Sequence, residues 1–367
     1  MFYDVVVVGG GINGSATAYE LQNASLKVAV FDKGGIASGG SGAAGAFISP
    51  KFSKAGELKE LLHKAFCYSM DFYENKFPEA FIKTQLIHVA KDEVESQVLQ
   101  IYKEKTTLPL LEIPKEVLST LNQEALSLQS GLVDAKKVCE LLVKDIDLYK
   151  EEVYSLVYSD KLWHINDKVT AKNVVLATGA YKKIIDEPYI KLRGVWGHRI
   201  DIKSSTYNKY SFHQYLSIAQ THKGVTAIGA THNLKYHPET SSSTYDDEEG
   251  RVELLQKAKK MLLLEDIEIL KDYTGLRSGS FDYIPLVGLI VDSKKTLQQN
   301  TNFKVKKADY NQYIYYDNLY MINGSGGYGF VLAPYLAKIL KDAITKQEMV
   351  PKGLLPARFF ARWAKKL

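Results

Sequence analysis

The sequence predicts an α/β fold with a second, α+β lobe, and three observations lead to this prediction. An apolar run at 5–8 is followed at once by a glycine cluster at 9–14 and then by a segment of helical character. A second glycine-rich junction, at 324–330, stands between a short strand and a helix. The length of 367 residues, with 46% hydrophobic and 24% charged residues, is typical of a globular enzyme with room for two lobes.

The first element is a strand buried on both faces, because the run at its centre is continuously apolar. The cluster after it has the form GxGxxG, and a second strand over 27–31 ends at Asp32. Gly9 allows a tight turn, Gly11 lets the backbone approach a pyrophosphate, and Gly14 lets the helix pack on the strand. The helix N-terminus favours phosphates, and a carboxylate after the second strand suits ribose hydroxyls. The unit predicts a Rossmann-type dinucleotide site.

Two later segments favour FAD over NAD. The segment 174–179 predicts a buried strand that ends in small residues and returns the chain to the first domain. The second glycine-rich junction directs the N-terminus of a helix at 333–344 towards another part of the ligand. A flavin needs a helix N-terminus of this kind, since its reduced form carries negative charge near N1 and C2=O.

The chain resembles the D-amino acid oxidase-like (DAO) superfamily of flavoproteins, which includes glycine oxidase and sarcosine oxidase. The resemblance covers both junctions, Asp32, the small-residue loop 38–46 and the Ala177-Thr178-Gly179 turn. It implies a Rossmann-type FAD-binding domain with an interleaved substrate domain on a mixed or antiparallel sheet. We expect the FAD-binding domain at 1–76, 129–187 and 280–367, and the substrate domain at 77–128 and 188–279.

The resemblance also implies the residues that bind the cofactor. Non-covalent FAD is expected, because neither Cys67 nor Cys139 lies near the second junction. Lys33 could equally be a solvated turn residue, and Val153, in a strand expected at 152–156, could be plain core. The expected cofactor contacts are Gly9, Gly11, Ile12, Asn13, Gly14, Asp32, Lys33, Ser38, Ser41, Gly42, Gly45, Ala46, Val153, Ala177, Thr178, Gly179, Arg277, Gly326, Gly327, Tyr328, Gly329 and Phe330.

A narrower resemblance is to the oxidase (C-terminal) domain of the bifunctional tRNA-modifying enzyme MnmC. The segments that carry it are 38–50, 229–232, 246–251, 275–288 and 355–362. No methyltransferase domain precedes the first strand, so we expect a separate methyltransferase to act afterwards. The segment 193–199 departs from the family pattern, and no pocket residue is assigned on it.

This resemblance implies oxidation of the carboxymethylaminomethyl group on the wobble uridine of tRNA to aminomethyl, with release of glyoxylate. Arg277 is expected to bind the substrate carboxylate, because a planar guanidinium binds a carboxylate in a bidentate way. An ion pair with Asp282 is the alternative role. The alternative functions are a small amino acid oxidase or dehydrogenase, acting on glycine, sarcosine or a D-amino acid, and an RNA-binding flavoprotein without activity.

The net charge of +5 is unevenly distributed, with basic stretches at 182–209 and 338–367. Such clusters suit a phosphate-rich partner. We expect the anticodon region of tRNA to contact Arg358, Arg362, Lys365 and Lys366, and a solvated helix end is the alternative.

No apolar run approaches the roughly 20 residues that span a bilayer, and the N-terminus has no basic region typical of a signal peptide. We therefore expect no membrane association and a cytoplasmic location. The histidines show no metal-ligand spacing, and no metal site is expected.

Overall fold

The computed structural model describes residues 1–53, 55–181, 184–299 and 309–367. Its strands are β1 (Phe2–Val8), β2 (Val28–Phe31), β3 (Phe47–Ile48), β4 (Phe81–Val89), β5 (Ala125–Val133), β6 (Asp147–Tyr149), β7 (Leu156–Ser159), β8 (Leu162–Ile165), β9 (Val169–Leu176), β10 (Leu192–Lys203), β11 (Ser211–His213), β12 (Ser217–Ile218), β13 (Thr226–Gly229), β14 (Glu268–Ser280), β15 (Leu286–Val291) and β16 (Tyr315–Asn323). Its helices are α1 (Ile12–Asn23), α2 (Glu57–Lys76), α3 (Glu93–Lys105), α4 (Lys115–Leu118), α5 (Ala135–Leu142), α6 (Asp247–Lys259), α7 (Ser293–Gln299), α8 (Gly329–Lys346) and α9 (Ala357–Ala364).

The first sheet has the order β15-β16-β9-β1-β2-β6, and β8 and β7 extend it from β9 as an antiparallel pair. Strands β2, β1, β9 and β16 run parallel. Their register aligns Val8 of β1 with Leu176 of β9, and Leu176 with Met321 of β16. The turns that follow these three strands therefore lie side by side at one edge of the sheet, where ligands bind in open parallel sheets.

Alternate residues of β1 point to opposite faces of this sheet. Val5 and Val7 are buried against the side that carries α1 and α8. Val6 and Val8 are buried on the other side, in the cluster that includes Phe360 of α9. Both faces are covered, which explains why the strand is a continuous apolar run.

The second sheet has the order β14-β10-β13-β12-β11-β4-β5-β3. Most neighbours are antiparallel, and β11 with β4 is a parallel pair, so the sheet is mixed. The longest pairing joins β10 to β14 and places Val195 opposite Arg277. An α/β fold with a second lobe on a mixed sheet is thus confirmed.

The chain crosses between the sheets several times. Strands of the first sheet lie within 2–31, 147–176 and 286–323, and those of the second within 47–48, 81–133 and 192–280. The expected boundary between residues 128 and 129 falls inside β5, all of which belongs to the second sheet. The division into two domains therefore stays a proposal, with β3 and the whole of β5 assigned to the substrate side.

One local expectation, the strand around Val153, needs correction. The strand expected at 152–156 is absent at Val153, because β7 begins only at Leu156. Helix α6 begins at Asp247, since the Asp246 side chain accepts hydrogen bonds from the backbone N–H groups of Glu248 and Glu249.

Lys182 and Lys183 of the first basic stretch lie outside the described residues. Within the part of the chain that the structure describes, no helix has both the length and the apolar composition needed to cross a membrane.

Candidate cofactor and substrate site

A cavity of about 730 Å³ lies where the turns after β1, β9 and β16 meet β10 and β14. Nearly all the residues expected to contact the cofactor line it. The two exceptions are Gly14 and Gly42, which allow close packing instead. A Cβ at Gly14 would lie 1.8 Å from the oxygen of Gly9, and one at Gly42 would lie 2.2 Å from the oxygen of Ala37.

The turn after β1 is built for close backbone approach. Gly9 has φ +112°, and a Cβ there would lie 2.3 Å from the oxygen of Ala177 in the turn after β9. Gly11 begins α1 without a side-chain cap, and the N–H of Ile12 donates to Ser41 Oγ over 2.9 Å. Gly11, Ile12 and Asn13 line the cavity, so the first turn of α1 directs its dipole there, as a pyrophosphate site requires.

Asp32, which follows β2, stabilises this turn through hydrogen bonds. Its Oδ2 accepts a hydrogen bond of 2.7 Å from the N–H of Gly10. Its Oδ1 accepts from the N–H of Gly34 at 2.9 Å and from Ser38 Oγ at 3.0 Å. A carboxylate has about four acceptor sites, and the three bonds leave one free on Oδ2, so the side chain, which lines the cavity, can still accept from a ribose hydroxyl.

The junction after β16 is organised by Asn323. Its Nδ2 donates to the oxygen of Gly179 over 3.0 Å, and its Oδ1 accepts from the N–H of Gly324 at 2.8 Å and from Ser278 Oγ at 2.9 Å. One side chain therefore ties together the turn after β9, the turn after β16 and strand β14. Its role is not predictable from the sequence, because its partners Gly179 and Ser278 are distant in the chain.

Beyond Asn323 the backbone faces the cavity without side chains. A Cβ at Gly326 or Gly327 would meet no atom within 4 Å, and Gly326 has φ +59°. Helix α8 follows at Gly329 without a side-chain cap. The bare backbone and the second helix N-terminus fit the flavin end of FAD, while the turn after β1 fits its pyrophosphate.

Lys33 and Val153 both line the cavity, at the end that holds Asp32. The Nζ of Lys33 lies 2.7 Å from Glu239 Oε1, so its charge is partnered within the protein. Val153 is buried in the segment before β7. A role for either residue in binding adenosine stays a prediction.

Arg277 reaches the cavity from β14. A Cβ at Gly197 on the paired strand would lie 2.3 Å from Arg277 Nη2, so glycine leaves room for the guanidinium. Its Nη1 donates to the oxygen of Thr231 over 3.2 Å, and burial lowers the pKa of Arg277. Among the described residues no carboxylate pairs with it. The alternative ion pair with Asp282 is not formed, because Asp282 pairs with Arg358.

The basic C-terminal segment differs from the expectation. Arg358 is buried, its Nε and Nη2 donate to Asp282 at 3.0 and 2.9 Å, and Nη2 also donates to the oxygen of Ile284. This guanidinium is committed within the protein, and we remove Arg358 from the expected RNA contacts. Arg362 pairs with the same carboxylate at 3.1 Å but is 64% exposed. Lys365 and Lys366 are exposed.

The cavity end remote from Asp32 holds His213, which the sequence analysis did not assign to the site. Its Nδ1 lies 2.5 Å from Ser217 Oγ, and its ring centroid lies 4.8 Å from that of Phe47. Burial, with the nearby His88 and Lys91, lowers the pKa of His213 to about 3. It is therefore a neutral imidazole at physiological pH.

The positions of the cysteines and of the residue types that bind metals complete the description of the site. Neither Cys67 nor Cys139 lines the cavity. Among the residues that the structure describes, no three His, Cys, Asp or Glu side chains come together to hold a metal ion.

Comparison with known proteins agrees with this site. Over residues 4–343 the chain matches the family described as DAO, FAD dependent oxidoreductase. It is 21% identical to the tRNA 5-methylaminomethyl-2-thiouridine biosynthesis bifunctional protein MnmC of Campylobacter fetus, with 100% of this chain and 61% of that protein covered. It is 24% identical to a glycine oxidase of Bacillus licheniformis, over 82% of this chain and 88% of that protein.

The structure of glycine oxidase from Geobacillus kaustophilus superposes with a TM-score of 0.76 at 19% identity, over 95% of this chain and 96% of the other. This likeness shows a shared fold. The family match, which spans most of the sequence, carries the conclusion that the cofactor is FAD. The chain belongs to the DAO family of FAD-dependent oxidoreductases.

Proposed function

We propose that the protein oxidises the carboxymethylaminomethyl group on the wobble uridine of tRNA to aminomethyl, with release of glyoxylate. The observation that carries this proposal is the guanidinium of Arg277 in the cavity wall, which no carboxylate of the described residues neutralises. A buried cation without a partner is costly, and a substrate carboxylate supplies the missing charge. The carboxymethyl group of such a base is a glycine joined through its nitrogen.

The residues of the chain position this substrate. Arg277 binds the carboxylate, and Gly197 keeps clear the space in which its guanidinium lies. Bound FAD would supply the hydride acceptor, and Arg277 would orient the glycyl carbon of the neutral amine towards it. Water then hydrolyses the resulting imine to glyoxylate and the aminomethyl base. The second glycine-rich junction offers backbone donors where charge develops on reduction.

Two observations support tRNA as the carrier of this group. Relatives that align with the whole chain are named for the biosynthesis of 5-methylaminomethyl-2-thiouridine in tRNA, and this chain spans 61% of the length of one of them. Arg362, Lys365 and Lys366 form an exposed basic end of the chain. A cytoplasmic location and a methyltransferase that acts on the aminomethyl product belong to the same proposal.

The second candidate function is oxidation of free glycine, sarcosine or a D-amino acid. The likeness to glycine oxidases favours it, since one is 24% identical over 82% of this chain and another superposes with a TM-score of 0.76. A free amino acid also offers a carboxylate to Arg277, but it requires no basic surface outside the cavity.

The test is to incubate the FAD-loaded protein with tRNA that carries 5-carboxymethylaminomethyluridine and to analyse its nucleosides by mass spectrometry. We expect loss of the carboxymethyl unit and one glyoxylate for each aminomethyl base formed. The same tRNA without the modification is the control and should yield no glyoxylate. An unchanged modified nucleoside together with rapid turnover of glycine or sarcosine would establish the second function instead.

A further inference from the structure

A turn at 280–283 follows directly from the cavity wall. The N–H of Tyr283 donates to the oxygen of Ser280 over 3.3 Å, and Ser280 Oγ bonds to Asp282 Oδ1. Asp282 is held inside by Arg358, and the residues on either side of it point outwards. Phe281 is 58% exposed and Tyr283 is 61% exposed. Tyr283 has φ +64°, a conformation that bulky residues rarely adopt, so the turn displays this ring at a conformational cost.

Cationic groups flank the exposed rings. The guanidinium of Arg193 lies 4.8 Å from the ring centroid of Tyr283, and its Nε is buried without a hydrogen-bond partner. None of the described carboxylates forms an ion pair with Arg193. On the other side Arg358 and Arg362 share the single carboxylate of Asp282, which leaves one net positive charge. The rings are therefore set in a positive field.

This surface continues the wall that carries the substrate arginine. In the pairing of β10 with β14, Val195 lies opposite Arg277 and Arg193 lies opposite Gly279. Residues two apart on a strand share a face, so Arg193 and Arg277 emerge on the same face with Cα positions about 7 Å apart along it. This spacing suits a nucleotide that has an acidic base substituent at one position and a phosphate at the other.

We propose that Arg193, Phe281, Tyr283 and Arg362 form an RNA-binding rim next to the cavity. The inference rests on the proposed function and names the surface that would bind the rest of the tRNA. Arg193 binds a phosphate of the unpaired anticodon loop, and the two rings stack on bases beside the one that enters the cavity. Exposed aromatic rings beside cations are how proteins bind single-stranded nucleic acid, since every base offers a face for stacking.

The variants that test the rim are Phe281→Ser and Tyr283→Asn, the latter because asparagine tolerates positive φ. Stacking contributes about 1–3 kcal/mol per base, so each variant should weaken binding of an unmodified anticodon stem-loop RNA by roughly 5- to 160-fold. Tyr207→Ser removes a ring that is 68% exposed away from the rim and is the matched control. An unchanged RNA affinity in both rim variants would overturn the proposal.

Turnover of two substrates distinguishes a loss of RNA binding at the rim from general damage to the protein. In the rim variants kcat/KM for the modified tRNA should fall relative to that for the free nucleoside 5-carboxymethylaminomethyluridine. For Arg193→Gln the dependence of log Kd on log salt concentration should weaken by about 0.7, the value for one phosphate contact to a single strand. Lys136→Gln, at an exposed lysine of α5, is the control for charge. An equal loss on both substrates, or a change only in oligomeric state, would show that the rim does not bind RNA.

Failure of the inference is distinguishable from failure of the proposed function. If wild-type protein binds the RNA and the rim variants do not, but tRNA is never oxidised, the RNA-binding rim is supported and the proposed reaction is rejected. If tRNA is oxidised and the rim variants bind it normally, the proposed reaction is supported and the RNA-binding rim is rejected.

Discussion

The Oγ of Ser325 donates a hydrogen bond of 3.1 Å to Oδ1 of Asn13, and this contact joins the two glycine-rich junctions. One junction lies at the start of the chain and the other near its end, yet they form adjacent parts of one cavity wall. The contact fixes the distance between the N-termini of α1 and α8. The site that binds FAD therefore depends on both junctions together, and their glycines have separable roles.

Gly327→Ala should weaken FAD binding without harming the fold. A Cβ at this position meets no protein atom within 4 Å, so it projects into space that the ligand uses. We expect a higher Kd for FAD, measured by flavin fluorescence, and an unchanged melting temperature of the FAD-free protein. Gly353→Ala, whose nearest neighbour would be 3.9 Å away and outside the cavity, is the control and should alter neither quantity. Normal FAD affinity in Gly327→Ala would contradict the placement of the flavin.

Arg277→Ala should retain FAD and lose turnover. The variant removes the group that binds the substrate carboxylate, and loss of a buried charge-pair partner costs about 2–5 kcal/mol. We expect kcat/KM for a carboxymethylamino substrate to fall by at least roughly 30-fold, with an unchanged flavin absorbance spectrum. Arg277→Lys keeps the charge without the planar fork and should recover only part of the activity. Turnover close to that of the wild type in Arg277→Ala would exclude this role.

Arg358→Met should destabilise the protein. Arg358 and Asp282 form a buried ion pair, and removal of one partner from such a pair typically costs about 3–5 kcal/mol. We expect this loss in the free energy of unfolding measured by urea denaturation. Lys365→Met, at an exposed position of the same segment, should change it little. If the two variants were equally stable, the pairing in the structure would be wrong.

The same ion pair predicts a dependence of stability on pH. Burial by itself raises the pKa of Asp282, but the hydrogen bonds and charge of Arg358 more than offset this, and the pKa is lowered from its ordinary value of 3.8. A carboxyl group whose pKa is lowered by folding stabilises the protein above that ordinary value and loses the contribution as pH falls through the folded pKa. Asp282→Asn should therefore reduce the free energy of unfolding at pH 7 and have less effect near pH 3.

His213 predicts acid sensitivity in a different pH range. Burial and the nearby His88 and Lys91 lower the pKa of His213 from 6.5 to about 3. Below pH 6.5 His213 becomes protonated in the unfolded chain but stays neutral in the folded protein. The free energy of unfolding therefore decreases as pH falls below 6.5. His213→Gln should make the decline in the free energy of unfolding between pH 7 and pH 4 less steep. His222→Gln, at an exposed histidine, is the control, and an identical decline in His213→Gln and the wild type would count against this reasoning.

The first junction was predictable from the sequence because strand, turn and helix are consecutive there, and each glycine answers a local requirement. The family match confirmed the FAD expected from the second junction. Gly197 and Asn323 were not predictable, since their roles depend on strand register and on partners far apart in the chain. Arg358 was misplaced for the same reason, because a charge pattern does not reveal a buried partner 76 residues earlier.

The order of strands in the first sheet has a consequence for synthesis. Strand β16 lies between β15 and β9, so β15 joins the parallel strands through residues 315–323. A nascent chain that has left the ribosome as far as β14 already contains the first junction and Arg277 but lacks the second junction altogether. We therefore expect FAD to bind only after β16 and the second junction have been synthesised, because both junctions line the cavity.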